Sequence, residues 1–364
     1  MQSIRSLPVP RACRCVRPAP APRFPGGRSL PIALGRLRDL HTSPPRSSHE
    51  NPLGLPRRNA NPPPTMPRRG APPQKSRIKG VEKIIVVASG KGGVGKSTVA
   101  ANLALSLLHS PPASMGRTPR IGLLDLDIFG PSVPKLMGLE DAGAPELGPG
   151  NKLIPLQNHG VKTMSIGYLL PPNPAHDTPV AWRGMMVMKA VQQLLFDVDW
   201  TSSNGEAPLD ALVIDMPPGT GDIQISLGQL VSVDGAVIVS TPQDVALVDA
   251  RKGVAMFEKV DIPIIGLLLN MSHYTCTSCS VPHELFGSSA SFERAASDLQ
   301  LDVLGKIPLV TQVSDGGDAG RPVMVQSGKE GGEVRETMKS VGEGVWEWLG
   351  SRKTDSGQVV GTRG

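Results

Sequence analysis

Residues 90–97 read GKGGVGKS, and they lie between a β-branched run at 83–89 and a stretch at 97–108 whose apolar residues recur at helical spacing. In this setting the pattern G-x-x-x-x-G-K-[ST] lets backbone N–H groups close around phosphate oxygens. The N-terminus of the following helix adds a dipole that favours an anion. The order of strand, glycine-rich turn and helix therefore predicts a phosphate-binding loop at the start of a βα unit.

Further short apolar runs alternate with stretches of helical periodicity along the chain. Strands are predicted at 121–125, 212–215, 236–240 and 264–270, and helices at 185–195 and 245–257. Strands that are apolar throughout and alternate with helices form mostly parallel sheets covered on both faces. The sequence thus predicts an α/β fold with a mostly parallel, doubly wound sheet, whose ligands lie at the carboxyl ends of the strands.

The net charge of +6 is unevenly divided between an N-terminal arm and the rest of the chain. The first 80 residues hold 16 Lys and Arg, two acids and 17 of the 37 prolines, which leaves 22 basic and 30 acidic residues for the remainder. The overall charge is therefore no argument for a nucleic-acid partner, and 3% aromatic residues supply few stacking surfaces. No run of 18 apolar residues occurs, so we expect no membrane span and at most peripheral membrane contact.

The arm has the composition of a targeting sequence. Residues 1–38 contain eight Arg and no acid, which is typical of a mitochondrial transit peptide, although an unstructured basic tail has the same composition. The segment RDLHTS at 38–43 resembles presequence cleavage sites. We predict the following organisation: a transit peptide at 1–43, a Pro-rich linker at 44–79, a nucleotide-binding domain at 80–350 and a disordered tail at 351–364.

The phosphate loop assigns roles to its own residues. Lys96 should reach the β- and γ-phosphates, Ser97 should hold Mg²⁺ through its hydroxyl, and Thr98 can add a hydrogen bond. An ordinary loop of this kind needs no lysine after its first glycine. Because it has Lys91 at that position, this loop resembles the deviant Walker A motif of the MinD/ParA/nitrogenase iron-protein class. That resemblance implies an ATPase that closes as a dimer, with Lys91 of each subunit reaching the phosphates bound by the other. The remaining phosphate-binding positions are Gly90, Gly92, Gly93, Val94 and Gly95.

Polar residues at other strand ends complete the nucleotide site by the same resemblance. It implies that Asp127 orients the attacking water, while Asp125 supports the Mg²⁺ shell. Asp215 ends an apolar strand and resembles the Walker B carboxylate, which can hold the metal. Asn270 would hydrogen-bond adenine, and Pro308 would lie beside it.

Beyond the arm, the chain has two cysteines, Cys276 and Cys279, in one C-x-x-C motif. A structural zinc ion or a 4Fe–4S cluster takes four ligands. His273 and His283 flank the motif and could complete a zinc site within one chain. A redox C-x-x-C is another possibility, and a third is that two chains each contribute a pair to one cluster on a dimer axis.

Several motifs taken together resemble the Mrp/ApbC-type iron–sulfur carrier ATPases. The match covers about residues 80–327, through segments at 89–97, 127–134, 182–184, 215–222, 240–244 and 270–272 followed by the C-x-x-C. The arm and HENPLGLP at 49–56 resemble the mitochondrial branch of that family, which serves respiratory complex I. Thr277 stands where the family often has Pro after the first cysteine, which would alter the cluster loop without removing a ligand.

This resemblance implies a homodimer in the mitochondrial matrix that binds ATP and Mg²⁺ and hydrolyses ATP slowly. The dimer would carry a labile 4Fe–4S cluster to apo iron–sulfur proteins, chiefly complex I subunits. One alternative is a ParA/MinD-like positioning ATPase with a zinc-bound C-x-x-C, and another is a reductase with a permanent cluster. Membrane positioning predicts a basic amphipathic terminal helix, whereas residues 333–349 carry four Glu against one Arg and one Lys, with an apolar face predicted to join the core.

Overall fold

The computed structural model describes residues 75–170, 184–201, 207–276, 278–328 and 331–352. The chain divides into two units, 1–65 and 66–364, and the described residues all belong to the second. The predicted transit peptide, residues 44–74 of the linker and 353–364 of the tail lie outside the described residues, as do Trp182, Arg183 and Thr277.

Strands and helices alternate along the described chain. The strands are β1 (Ile84–Ala88), β2 (Ile121–Asp125), β3 (Leu156–Asn158), β4 (Val161–Ser165), β5 (Ala211–Asp215), β6 (Gly235–Ser240), β7 (Ile264–Asn270), β8 (Tyr274–Thr275), β9 (Pro282–His283) and β10 (Val303–Ile307). The helices are α1 (Lys96–His109), α2 (Val133–Leu136), α3 (Gly184–Phe196), α4 (Asp222–Leu230), α5 (Asp244–Lys259), α6 (Ser289–Asp298), α7 (Thr311–Asp318) and α8 (Gly332–Ser351). Every strand and helix predicted from periodicity is present within a few residues of its expected bounds.

The central sheet has the order β10-β7-β6-β1-β5-β2-β4-β3, and all its neighbours pair in parallel except β3 with β4. Strands β1, β2 and β5 are buried at every position, as expected for central strands with covered faces. The predicted α/β class is therefore confirmed. The chain leaves β1 toward β2, returns to β5 between them, and then crosses to β6 on the other side. The carboxyl ends of β1, β2 and β5 thus meet at one edge of the sheet, where doubly wound folds bind ligands.

Residues 75–79, which the sequence assigned to the linker, already belong to the packed body. The Ser76 backbone N–H donates to the Leu230 carbonyl at 2.8 Å, and the Ile78 side chain is 2% exposed. The periodicity of so short a segment gives no signal for this contact, because its partner lies about 155 residues away in sequence. Among the described residues, no helix is long and apolar enough to cross a membrane.

Helix α8 packs along α1 through the apolar face predicted from sequence. The side chains of that face are buried: Met338, Val341, Val345 and Leu349. The Trp346 indole N–H donates to the Leu107 carbonyl at 3.1 Å, and the Ser106 hydroxyl donates to the backbone carbonyl of Met338. The two helices approach closely at Gly342, where an added Cβ would stand 2.2 Å from the Ser106 hydroxyl oxygen.

We expect Gly342→Ala to destabilise the protein by roughly 1–3 kcal/mol, because the added methyl group would force α1 and α8 apart. Gly344→Ala on the same helix is the matched control, since a Cβ there meets nothing within 4 Å. It should raise stability by about 0.5–1 kcal/mol through reduced backbone entropy of the unfolded chain. Urea unfolding of both variants tests the contact, and equal effects would contradict it.

Candidate functional site

Two glycines of the phosphate loop, Gly90 and Gly95, lie where a side chain would not fit. Gly95 has a φ of +81°, immediately before Lys96 opens α1, and an added Cβ would stand 2.2 Å from the Asn270 amide nitrogen. At Gly90 an added Cβ would stand 2.2 Å from the backbone carbonyl of Asp249 in α5. The loop is therefore held between β7 on one side and α5 on the other.

Two adjoining cavities lie at this edge of the sheet. One, of about 240 Å³, is lined by the phosphate loop and by Lys91, Lys96 and Asp127. The other, of about 300 Å³, is lined mainly by apolar groups and contains both Asn270 and Pro308. The cavities share Gly95, Thr98 and Leu136. A cationic cavity joined to an apolar one suits the polyphosphate and the base of a nucleotide.

Lys96, which lines the phosphate cavity, forms a buried ion pair with Asp215. The Lys96 ammonium donates to one oxygen of Asp215, and it also lies 3.1 Å from the Ser97 hydroxyl oxygen. The other Asp215 oxygen is buried and has no hydrogen-bond partner among the described residues. An unpartnered carboxylate oxygen near a hydroxyl is the type of oxygen donor set that Mg²⁺ takes together with substrate phosphates. Asp215 and Ser97 thus fit the ion that the sequence predicts.

Asp125 lies beneath the loop that carries Asp127. Its carboxylate accepts hydrogen bonds from three backbone N–H groups within residues 127–133 and from the Ser165 hydroxyl. Burial, followed by the nearby carboxylate of Asp215, raises the pKa of Asp125 to about 7. Both of its oxygens accept hydrogen bonds, and these contacts hold the loop at 127–133 in place. The support of the Mg²⁺ shell that the resemblance implies for Asp125 stays a prediction.

Asp127 lines the phosphate cavity together with Lys96. Its carboxyl is half-buried, and burial raises its pKa, while the Lys96 charge opposes the shift. The Lys91 side chain lines the same cavity but is exposed. The structure therefore brings Lys91, Lys96 and Asp127 to one cavity and leaves Lys91 open to solvent, while the catalytic roles implied for Lys91 and Asp127 stay predictions.

The two cysteines lie in a hairpin formed by β8 and β9. The Cys276 N–H donates to the Val281 carbonyl at 3.0 Å, and the Ser280 N–H donates to the Cys276 carbonyl at 2.8 Å. Cys276 is half-exposed and Cys279 is exposed. Hydrogen bonds from the backbone N–H groups of Ser278 and Cys279 lower the pKa of the Cys276 thiol. The motif thus presents a thiol with increased thiolate character at the surface.

The flanking histidines occupy different surroundings. The side-chain ligand atoms of Cys276, Cys279 and His283 all lie within 4.8 Å of one another. His273 instead contacts the Ser272 hydroxyl at 3.1 Å, and its other ring nitrogen lies 3.8 Å from a carboxylate oxygen of Glu333 in α8. Among the described residues, the side chains close enough to share one metal ion at this hairpin therefore include His283 but not His273.

The cysteine hairpin is attached directly to elements that contact the phosphate loop. Asn270 ends β7 and donates from its side-chain amide to the Val94 carbonyl at 2.8 Å, and the chain reaches Cys276 six residues later. On the far side of the hairpin, Gly287 lies close to the carbonyl of Pro242, just before α5. The hairpin is thus connected to both elements that hold the loop.

Sequence reasoning missed an apolar cavity of about 920 Å³ beside the nucleotide site. Its lining includes Phe129, Met188, Pro218 and Ile223, and it adjoins Asp127. Phe129 is 69% exposed, which is unusual for so large an apolar side chain. The apolar residues of α3 gave no signal for this cavity, because their helical periodicity is the same as that of an ordinary core-facing helix.

Comparisons with known proteins agree with this geometry. The family model "ParA: NUBPL iron-transfer P-loop NTPase" matches residues 80–345. The chain is 49% identical over 255 residues to the Mus musculus iron-sulfur cluster transfer protein NUBPL, covering 70% of this chain and 74% of that protein. It is 47% identical over 251 residues to an Arabidopsis thaliana protein named as an iron-sulfur protein required for NADH dehydrogenase, mitochondrial, covering 69% of this chain and 74% of that protein.

A solved structure of a nucleotide-binding protein is also similar to this chain. The nucleotide-binding protein of Archaeoglobus fulgidus in complex with ADP superposes with a TM-score of 0.54 and 33% identity, covering 67% of this chain and 89% of that one. The deviant Walker A class and the iron–sulfur carrier resemblance inferred from the motifs are therefore confirmed. The chain belongs to the NUBPL family of iron-transfer P-loop NTPases.

Proposed function

We propose that this chain is an ATP-dependent carrier that delivers a 4Fe–4S cluster, bridged between two copies of the chain, to apo iron–sulfur proteins. The observation that carries the proposal is the short connection from the phosphate loop through Asn270 to the cysteine hairpin. A change at the nucleotide site therefore has a direct path to the thiolates. Two thiols near the surface of each chain, one exposed and one half-exposed, also suit a cluster that must be surrendered.

The nucleotide half of the mechanism uses the residues that line the two cavities. Lys96 and the loop N–H groups would bind the phosphates, and Asn270 and Pro308 would contact the base. Ser97 and Asp215 would hold Mg²⁺, which would supply charge neutralisation on the phosphates. Asp127 would orient the water that attacks the γ-phosphate, yielding ADP and inorganic phosphate. Lys91, exposed at the cavity mouth, would reach the phosphates bound by the partner subunit.

The alternatives receive less support from the described residues. Membrane positioning would use a basic amphipathic terminal helix, but the apolar face of α8 is buried against α1. A reductase with a permanent cluster would more usefully shield its thiolates, and Cys279 is exposed. Anaerobic reconstitution followed by transfer to an apo-acceptor, with and without ATP, tests the carrier proposal. Transfer that does not respond to ATP would contradict it.

We propose that Asn270 couples the two sites, and Asn270→Ala tests this. The variant should load cluster as the parent does, because it keeps both thiolates, but ATP should no longer change its rate of cluster transfer. Transfer is measured at an ATP concentration that saturates the variant, so that weaker base binding does not confuse the result. Asn158→Ala is the control, since that amide donates to the Met137 carbonyl at 2.8 Å, away from the hairpin. An unchanged ATP response in Asn270→Ala would contradict the coupling.

For location and clients we propose the mitochondrial matrix and subunits of respiratory complex I. The Arg-rich start of the chain supports import, and the Arabidopsis relative is named for a requirement in NADH dehydrogenase. We expect protein isolated from mitochondria to begin between residues 38 and 48, as determined by N-terminal sequencing. An intact Met1 on the organelle-resident protein would contradict import with cleavage.

A further inference from the structure

The hairpin brings a third ligand to the two cysteines. Strands β8 and β9 pair Tyr274 with His283, and directly opposed residues of an antiparallel pair lie on one face. Cys276 follows Tyr274 by two residues, and its N–H continues the ladder to the Val281 carbonyl, so it shares that face. Cys276 and His283 thus converge on the same side of the hairpin, where the turn also places Cys279.

The spacing of these groups suits a single metal ion. Metal bonds of about 2.0–2.3 Å in a tetrahedral site separate the ligand atoms by roughly 3.5–3.8 Å. The three ligand atoms here lie within 4.8 Å of one another, so small side-chain rotations close the site. Two thiolates that bind different irons of one cluster must stand further apart than two thiolates on one ion, because the distance between the two irons adds to their separation.

We propose that Cys276, Cys279 and His283 of one chain bind a single divalent transition-metal ion of borderline softness, with the fourth coordination position open. Thiolate and imidazole together select ions such as Zn²⁺, Co²⁺ and Fe²⁺ over Mg²⁺ or Ca²⁺. His273 does not participate, because it contacts Ser272 and Glu333 instead.

This inference rests on the proposed function, because it uses the same two thiolates, and it deepens that function. It does not require that a cluster bridge two chains. A single ion on one chain and a cluster on two chains compete for Cys276 and Cys279, so they exclude each other. His283 is the ligand that distinguishes the two states: it contributes to the single-ion site, whereas four thiolates complete the cluster. An ion bound in this way would close a chain to cluster loading.

Titration of the full-length, metal-free chain with Co²⁺ alone under anaerobic conditions tests the proposal. The parent should bind one Co²⁺ per chain, with visible bands of a tetrahedral ion and charge-transfer bands from two thiolates. His283→Ala should weaken Co²⁺ binding at least roughly tenfold, since even the loss of outer-shell partners weakens metal sites 10- to 100-fold. His273→Ala is the matched control and should bind as the parent does.

Cluster reconstitution of the same variants separates this inference from the proposed function. His283→Ala should still load about four irons per two chains, because it keeps every thiolate. Equal Co²⁺ affinity in His283→Ala and the parent, or one Co²⁺ shared by two chains, overturns the single-ion site and leaves the carrier proposal standing. A parent that binds Co²⁺ as expected but loads no cluster overturns the carrier proposal instead.

X-ray absorption on the Zn²⁺-loaded parent gives a test that needs no substitution. We expect two sulfur ligands and one imidazole ligand per ion. Four sulfur ligands would overturn the single-ion site. This measurement decides the matter even where His283→Ala fails to fold.

Discussion

Cys276→Ala and Cys279→Ala should each abolish cluster binding, whereas the reconstituted parent should hold about four irons per two chains. A 4Fe–4S cluster takes four thiolates, and a dimer of either variant offers two. Iron analysis and Mössbauer spectroscopy on anaerobically reconstituted protein provide the measurement. The expected effect is a complete loss of cluster, because no other cysteine lies in residues 80–350.

Two controls make the cysteine result specific. Thr275→Ala changes an exposed residue in the same hairpin and should keep full cluster content. Both cysteine variants should bind ATP nearly as the parent does, because the phosphate loop belongs to a different βα unit. A cluster that persists in either variant, or a stable 4Fe–4S cluster on a monomeric parent, would overturn the bridged arrangement.

Lys96→Ala should weaken ATP binding roughly 100-fold or more. Charge-assisted hydrogen bonds contribute about 1.5–3 kcal/mol each, and two such bonds to phosphate oxygens account for this change in Kd. Titration calorimetry with ATP and Mg²⁺ measures the effect. Undiminished binding by Lys96→Ala would show that the phosphate-loop assignment is wrong.

Two comparisons separate binding from folding and from dimerisation. Lys96→Ala leaves Asp215 buried without its cation, which destabilises a protein by about 3–5 kcal/mol, so the titration needs a temperature at which circular dichroism shows the variant folded. Lys91→Ala removes an exposed side chain and should leave both stability and single-chain ATP binding close to the parent. It should instead lose the ATP-induced dimer in sedimentation, and an intact dimer would contradict the role across the interface.

The apolar cavity beside Asp127 was not predicted from the sequence, although α3, which lines part of it, was predicted. Helix α3 was predicted from apolar spacing, and the structure contains it. The same spacing describes a helix that closes the core and one that also borders an open cavity. The difference depends on what the loop at 127–133 and the start of α4 place opposite α3, and these segments lie up to 65 residues from it in sequence.

Local sequence by itself determined the strands and helices, the glycine-rich loop and the acidic residues at strand ends. Burial and backbone conformation impose short-range patterns, so periodicity marks β1 and α1, and a φ of +81° requires glycine at position 95. Tertiary structure alone decided the partners: Lys96 with Asp215, Asn270 with Val94, and His283 rather than His273 with the cysteines. The first two of these contacts join residues more than 100 positions apart, and the third depends on hairpin register. Such choices follow from how strands align and helices pack, which no local pattern contains.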